Sequence, residues 1–143
     1  MHPVPRLLLL AAGAVLLSAG VTLAQEGDME ADCSNAMTQA DLNACAYKEY
    51  EVQDAALNAE YRKAMAKAKA LDDEYSDEPQ YAGAVEALKS GQRAWIGYRD
   101  GQCALAGFQA RGGSAEPMLV SGCLADLTRK RVEELQEFVE GDG

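Results

Sequence analysis

The sequence has 143 residues, with 23 acidic and 13 basic side chains, a formal charge of −10 and a single histidine, His2. A chain of this length holds one core and one domain, and so acidic a surface repels phosphate backbones and anionic headgroups, which excludes nucleic acid and favours a cationic partner. The lone imidazole argues against most acid/base and zinc chemistry near neutral pH. No enzymatic activity, no metal and no cofactor is expected.

His2 and Arg6 precede the apolar run from Leu7 to Leu17, and Thr22, Leu23 and Ala24 supply small residues before Gln25. This is the order of a cleavable secretory signal. The run is short for a membrane span and is soon followed by Gln25, Glu26 and Asp28, so no stable membrane insertion is expected after cleavage. Val21 stands where a lipoprotein signal needs its acylated cysteine. Cleavage after Ala24 removes 24 of the 143 residues, His2 and Arg6 among them, and moves the formal charge from −10 to −11. The expected organisation is a signal peptide over 1–24, an N-terminal segment over 25–37 and a helical domain over 38–140, in the periplasm or secreted.

The remainder is written in helical period. Thr38, with Asp41 three residues on, starts a first helix, and Leu42, Cys45, Leu57, Tyr61, Ala64, Met65, Ala68 and Leu71 recur at three- and four-residue spacings along it. The polar stretch Asp72 to Pro79 ends that helix, with Ser76 or Asp77 expected as the next N-cap and Pro79 in the first turn of a second helix that runs to about Phe108. On this second helix Val85, Leu88, Trp95, Ile96, Arg99 and Cys103 share a side, so a buried tryptophan and a partly buried arginine are expected together. Gly91 and Gly97 predict either a bend or the close approach of another backbone, because an interior glycine costs about 1 kcal/mol relative to alanine. Arg111-Gly112-Gly113-Ser114 reads as a turn. Ser114 with Pro117 then opens a third helix whose expected inner stripe is Leu119, Cys123, Leu124, Leu127, Arg131, Leu135 and Phe138.

The fold class is therefore all-α: a small antiparallel three-helix bundle. Four cysteines in an exported domain imply two disulfides, and sequence allows three connectivities. Cys33 with Cys45 and Cys103 with Cys123 close the shortest loops, although the bundle topology gathers all four cysteines at one pole and leaves Cys45 to Cys103 reachable. A thiol catalyst is disfavoured, since no Cys-x-x-Cys pair occurs and no base lies at hand. The acidic pairs Asp72-Asp73, Asp77-Glu78 and Glu133-Glu134 are read as solvated surface.

These residues carry a resemblance. Cys33 to Cys45 with Asp54-Ala55-Ala56-Leu57-Asn58-Ala59-Glu60-Tyr61, then Gln92-Arg93-Ala94-Trp95-Ile96-Gly97-Tyr98-Arg99-Asp100 with Cys103, then Gly112-Gly113-Ser114 and Cys123-Leu124-Ala125-Asp126-Leu127-Thr128 with Arg131, resemble the LprI-like lysozyme inhibitor family in the same motif order. The resemblance spans about Asp32 to Leu135. It implies an exported, disulfide-bonded, mostly helical domain, and a basic lysozyme as the cationic partner; another cationic envelope protein is the alternative partner, in an interaction role with no lysozyme target. Among the motif residues, Leu57, Tyr61, Trp95 and Leu127 are expected in the core. Arg99 and Asp100 project about 100° apart on a helix, so Arg99 is expected to pair with an acid of the first helix such as Asp54, and Asp100 with Arg131 or a loop amide. The polar loop from Phe108 to Glu116, with Arg111, Gly112, Gly113 and Ser114, is the expected partner-binding element.

Overall fold

The computed structural model describes residues 32–141. The expected signal segment and the first part of the 25–37 segment lie outside the described residues. Three helices follow one another: α1 (Gln39–Glu74), α2 (Ala84–Gly107) and α3 (Glu116–Glu140), with short 3-10 turns at Pro79–Tyr81 and Phe108–Ala110 and no strand among the described residues. The chain runs up, down and up again, so α2 is antiparallel to both neighbours while α1 and α3 lie parallel. Two contacts fix that sense: the Asn43 side chain donates to the Ser114 carbonyl at 3.0 Å, and Lys67 donates to the Val139 carbonyl at 3.3 Å. None of these helices is long and apolar enough to cross a membrane.

α1 starts where its capping residues dictate. The Thr38 hydroxyl accepts from the Asp41 amide at 3.1 Å while the Asp41 carboxylate accepts from the Thr38 amide at 3.4 Å, a reciprocal capping box. α2 starts differently from the expectation. Neither Ser76 nor Asp77 caps it; Pro79 opens a separate 3-10 turn, and Gly83, at φ 141°, is the N-cap. Glycine has no side chain with which to cap, so Asp72, from the last turn of α1, supplies the acceptor. Its carboxylate takes the amides of Gly83 and Ala84 at 2.7 Å and of Val85 at 3.1 Å, three of the four donors that a helix start leaves open. The same contacts hold its carboxyl below the ordinary carboxylate range.

The core is thin and made of small side chains. Leu57, Ala64, Ala68, Cys103, Ala125, Val132 and Leu135 are its buried apolar members, and the largest fully buried side chains are Thr128 and Cys103. α3 buries Ser121, Ala125, Thr128, Val132 and Leu135. This stripe is rotated from the expected one: Leu119, Cys123, Leu124, Leu127 and Arg131 are only half-buried, and Phe138 is 36% exposed. The cause is that α3 packs on two helices at once and most extensively on α1. Small Ser, Ala and Thr side chains fill this buried stripe, while Cys123 and Arg131 turn to α2, where Cys103 and Gln92 are their partners. Ile96, expected inside, is 40% exposed.

With so little apolar surface to bury, the staples carry weight. Cys33 is bonded to Cys45 and Cys103 to Cys123, both at the pole where α1 and α3 begin and α2 ends. Such bonds imply an oxidising compartment. α2 runs unbroken through its glycines. Neither Gly91 nor Gly97 has a neighbouring atom within 4 Å of where a Cβ would sit, so no close approach inside the fold explains them. The close approach is instead at Gly107, where a Cβ would meet Val120 Cγ2 at 2.7 Å.

Candidate partner-binding site

The family-motif residues converge where α2 crosses the other two helices. Arg99, 8% exposed, lies with its guanidinium carbon 5.1 Å from the Trp95 ring centre and 5.6 Å from that of Tyr50. Arg131 covers Trp95 at 6.0 Å. The result is a ladder of alternating cations and rings, in which each guanidinium is held by a ring face as well as by charge. Arg99 meets Asp54 at 3.6 Å, as expected, and its Nη1 donates to the Thr128 hydroxyl at 3.5 Å.

Two expectations about this cluster are corrected. Asp100 does not turn to Arg131 or a loop amide; its carboxylate accepts from Arg99 Nε at 2.9 Å, because the long arginine side chain folds back across the helix surface to its neighbour. Arg131 instead donates to Gln92 at 3.0 Å and pairs with Glu134 at 2.7 Å. The burial of the pair Trp95 and Arg99 is also inverted. The arginine is the buried member, and Trp95 is a partly buried side chain packed on the edge of the cluster of Leu57, Ala64, Val132 and Leu135, as are Tyr61 and Leu88. Every buried side-chain polar atom among the described residues has a partner, and no group of acids, cysteines or histidines among them is arranged to hold a metal. The ladder is satisfied within the chain and holds three helices together.

The loop between α2 and α3 has a different character. Arg111, Gly112, Gly113 and Ser114 are all exposed, yet the loop is tightly pinned rather than adaptable. Glu116 reaches back from the first turn of α3, accepting from the Gly112 amide at 2.7 Å and from Arg111 at 2.6 Å. The Gly112 amide chiefly, opposed by some desolvation and aided by Arg111, keeps the Glu116 carboxyl below its ordinary range. Gly112 has φ 75°, a region that a side chain would disfavour. The Gly113 amide bonds the Ala110 carbonyl at 2.8 Å, and the Arg111 guanidinium stacks on Phe108 at 4.6 Å. Ser114 is no cap, since Ala115 precedes α3 without a side-chain bond; its carbonyl is instead the acceptor for Asn43. Beside the loop a groove of about 550 Å³ runs between Tyr47 and the α3 residues Pro117, Val120 and Leu124.

A profile of the family described as Lysozyme inhibitor LprI matches residues 30–135. The chain belongs to that family. It is 62% identical over 112 residues to a protein of Rhizobium meliloti (strain 1021), Uncharacterized protein R02472, covering 78% of this chain and 81% of that one. No solved structure matches. The matched span takes in α1, α2 and α3 as far as Leu135, with both disulfides, the arginine–tryptophan ladder and the pinned loop.

Sequence reasoning missed Tyr50, Gln92, Asp72 and Glu116 as organising residues. The last two had a legible signal: an acid at the close of one helix and an acid just after a Gly-Gly turn both stand where open amides gather. Tyr50 and Gln92 had none, because their partners are on other helices.

Proposed function

We propose that the chain is an exported, non-enzymatic inhibitor of a basic c-type lysozyme, and that the disulfide-stapled pole presents the loop from Arg111 to Ser114 to the enzyme's substrate cleft. The observation that carries this reading is a loop that is exposed and yet fixed by Glu116, Ala110 and Asn43. A preorganised loop loses little conformational freedom on docking, which is what a tight inhibitor needs. Glycoside hydrolases of this kind work with a pair of carboxylates across the cleft, and Arg111 offers a planar cation to such a pair. The remaining surface, at a formal −11 once Arg6 leaves with the signal, steers the domain toward a strongly basic enzyme. The domain layout in this reading is a signal over 1–24, a short segment over 25–37 and the inhibitory bundle over 38–140, released to the periplasm or beyond.

The test is titration of the exported protein against a basic c-type lysozyme acting on cell-wall substrate. Inhibition should saturate, its association rate should fall steeply with added salt, and the formed complex should persist at physiological ionic strength, where exposed charges are screened beyond about 8 Å. Arg111→Ala should weaken inhibition without changing helix content. If a clear molar excess leaves the lysozyme fully active, the inhibitor reading fails, and the role left is that of an envelope interaction protein with another cationic partner.

A further inference from the structure

A pocket of about 300 Å³ opens between α1 and α2, lined by Asn58 and Tyr61 of the first and by Lys89, Gln92, Arg93 and Ile96 of the second. It gathers hydrogen-bond donors and no acid. Gln92 is the member that points to a ligand. It is 9% exposed, and Arg131 Nε donates to its Oε1 at 3.0 Å, which settles the orientation of the amide and leaves the NH2 group on the other side. That group, Nε2, has no hydrogen-bond partner among the described residues. Every fully buried polar atom among them does have one, so Nε2 opens onto the pocket that Gln92 lines. Lys89 has no ion pair among the described residues either. Arg93 meets Glu86 at 3.2 Å, with both side chains well exposed; such a pair is weak in water and leaves most of the guanidinium donors open. Asn58 donates to Asp54 at 3.1 Å. Neither Glu86 nor Asp54 lines the pocket.

We propose that this pocket binds the terminal carboxylate of a short peptide, with Gln92 Nε2, Lys89 and Arg93 donating to its oxygens and Tyr61 and Ile96 against the apolar side chain beside it. Charge selects the class. Two cations and a neutral donor converge without an acid, in a chain otherwise rich in acids, and a carboxylate has acceptor sites enough for all three. The apolar wall selects a peptide end over a bare anion: Ile96 is 40% exposed and Tyr61 half-buried, and an inorganic ion would leave both uncovered. Size limits the ligand to a residue or two, since the volume stands at the lower bound of small-molecule sites, about 300 Å³. The arginine–tryptophan ladder supplies the rigidity. Arg131 lies over Trp95 and holds Gln92, so the buried donor is oriented before a ligand arrives.

The test is an NMR titration of the exported, oxidised, isotope-labelled protein with N-acetylalanylalanine, read at the Gln92 side-chain amide and at the backbone amides of residues 89–96. Saturating shifts with a dissociation constant on the order of 1 mM are expected of a ligand with so few atoms. The same peptide with its carboxylate capped as an amide should bind about tenfold more weakly or not at all, because the charge-assisted bonds are gone. Gln92→Glu keeps an oxygen for Arg131 and turns the open donor into an anionic acceptor, so it should weaken binding by about tenfold or more while circular dichroism is unchanged. Lys89→Gln, at an exposed position, should weaken binding by about fivefold. Its lysozyme inhibition should equal the parent's, so the outcome is separable from that of the inhibitor reading. The absence of saturable shifts up to about 20 mM peptide overturns the proposal. So does equal binding of the capped peptide, or parent-like binding by either variant. Inorganic phosphate that binds more tightly than the peptide also overturns it, and makes the pocket a phosphate site.

Discussion

Arg99→Ala separates a structural arginine from a binding one. Arg99 is 8% exposed, so truncation removes the packing of its aliphatic stem, about 2 kcal/mol for a buried site that relaxes only in part. It also removes stacking on Trp95 at 5.1 Å and Tyr50 at 5.6 Å, about 0.5 to 1 kcal/mol each. The ion pairs add little: Asp54 is 40% and Asp100 57% exposed, so both carboxylates rehydrate when the cation leaves, and each pair is worth at most about 1 kcal/mol. The expected loss is about 3 to 4 kcal/mol, or roughly 15 °C in the thermal midpoint of a domain of this size. Asp100→Ala should lose at most about 1 kcal/mol. Arg99→Met keeps the stem and should fall between them, because an apolar isostere can replace a buried charge once its partners are free to hydrate. Urea unfolding followed by far-UV circular dichroism measures all three, with lysozyme inhibition read at a temperature where each variant is folded. The reasoning is refuted if Arg99→Ala unfolds within about 1 kcal/mol of the parent, and all the more if that stable variant has lost inhibition.

The denatured oxidised protein should show no free thiol at any of its four cysteines, and replacing Cys103 and Cys123 together by alanine should cost about 3 kcal/mol, as expected for a 20-residue loop. The corresponding change at Cys33 and Cys45 should cost less, because Cys33 lies in an exposed segment that can fray without the bundle; equal losses in the two denaturation curves would contradict this. Asp72 has its folded pKa lowered from 3.8 by the Gly83, Val85 and Ala84 amides, so its contribution is fully present above that value and is lost as pH falls through the lowered one. An acid titration of stability should therefore be shallower in Asp72→Asn than in the parent. Gly107→Ala should destabilise by about 1 to 2 kcal/mol through the clash with stiff Val120, whereas Gly91→Ala should stabilise the fold by about 0.5 to 1 kcal/mol, both read from the urea midpoint.

The sequence by itself determined the elements and their order. Thr38 and Asp41 set the start of α1 because a capping box is completed within four residues, and the period of the apolar positions required three helices because amphipathicity is a property of one helix at a time. Cysteine spacing favoured the two local disulfides for the same reason, since short loops close most readily. The ion pair of Arg99 with Asp54 was also within reach, as a buried cation on one helix calls for an acid on the next. What only the tertiary structure decided is which neighbour each side meets. Ser121, Ala125 and Thr128 fill the buried stripe of α3, a place for small side chains that hydropathy does not register. The capping of α2 by Asp72, the pinning of the Gly112 turn by Glu116 and the stacking of Tyr50 and Trp95 about Arg99 each join groups that the chain separates by a turn or a whole helix. Their placement is a matter of distance in space, and a side chain's own type fixes only what partner it needs, never which one the fold brings within reach.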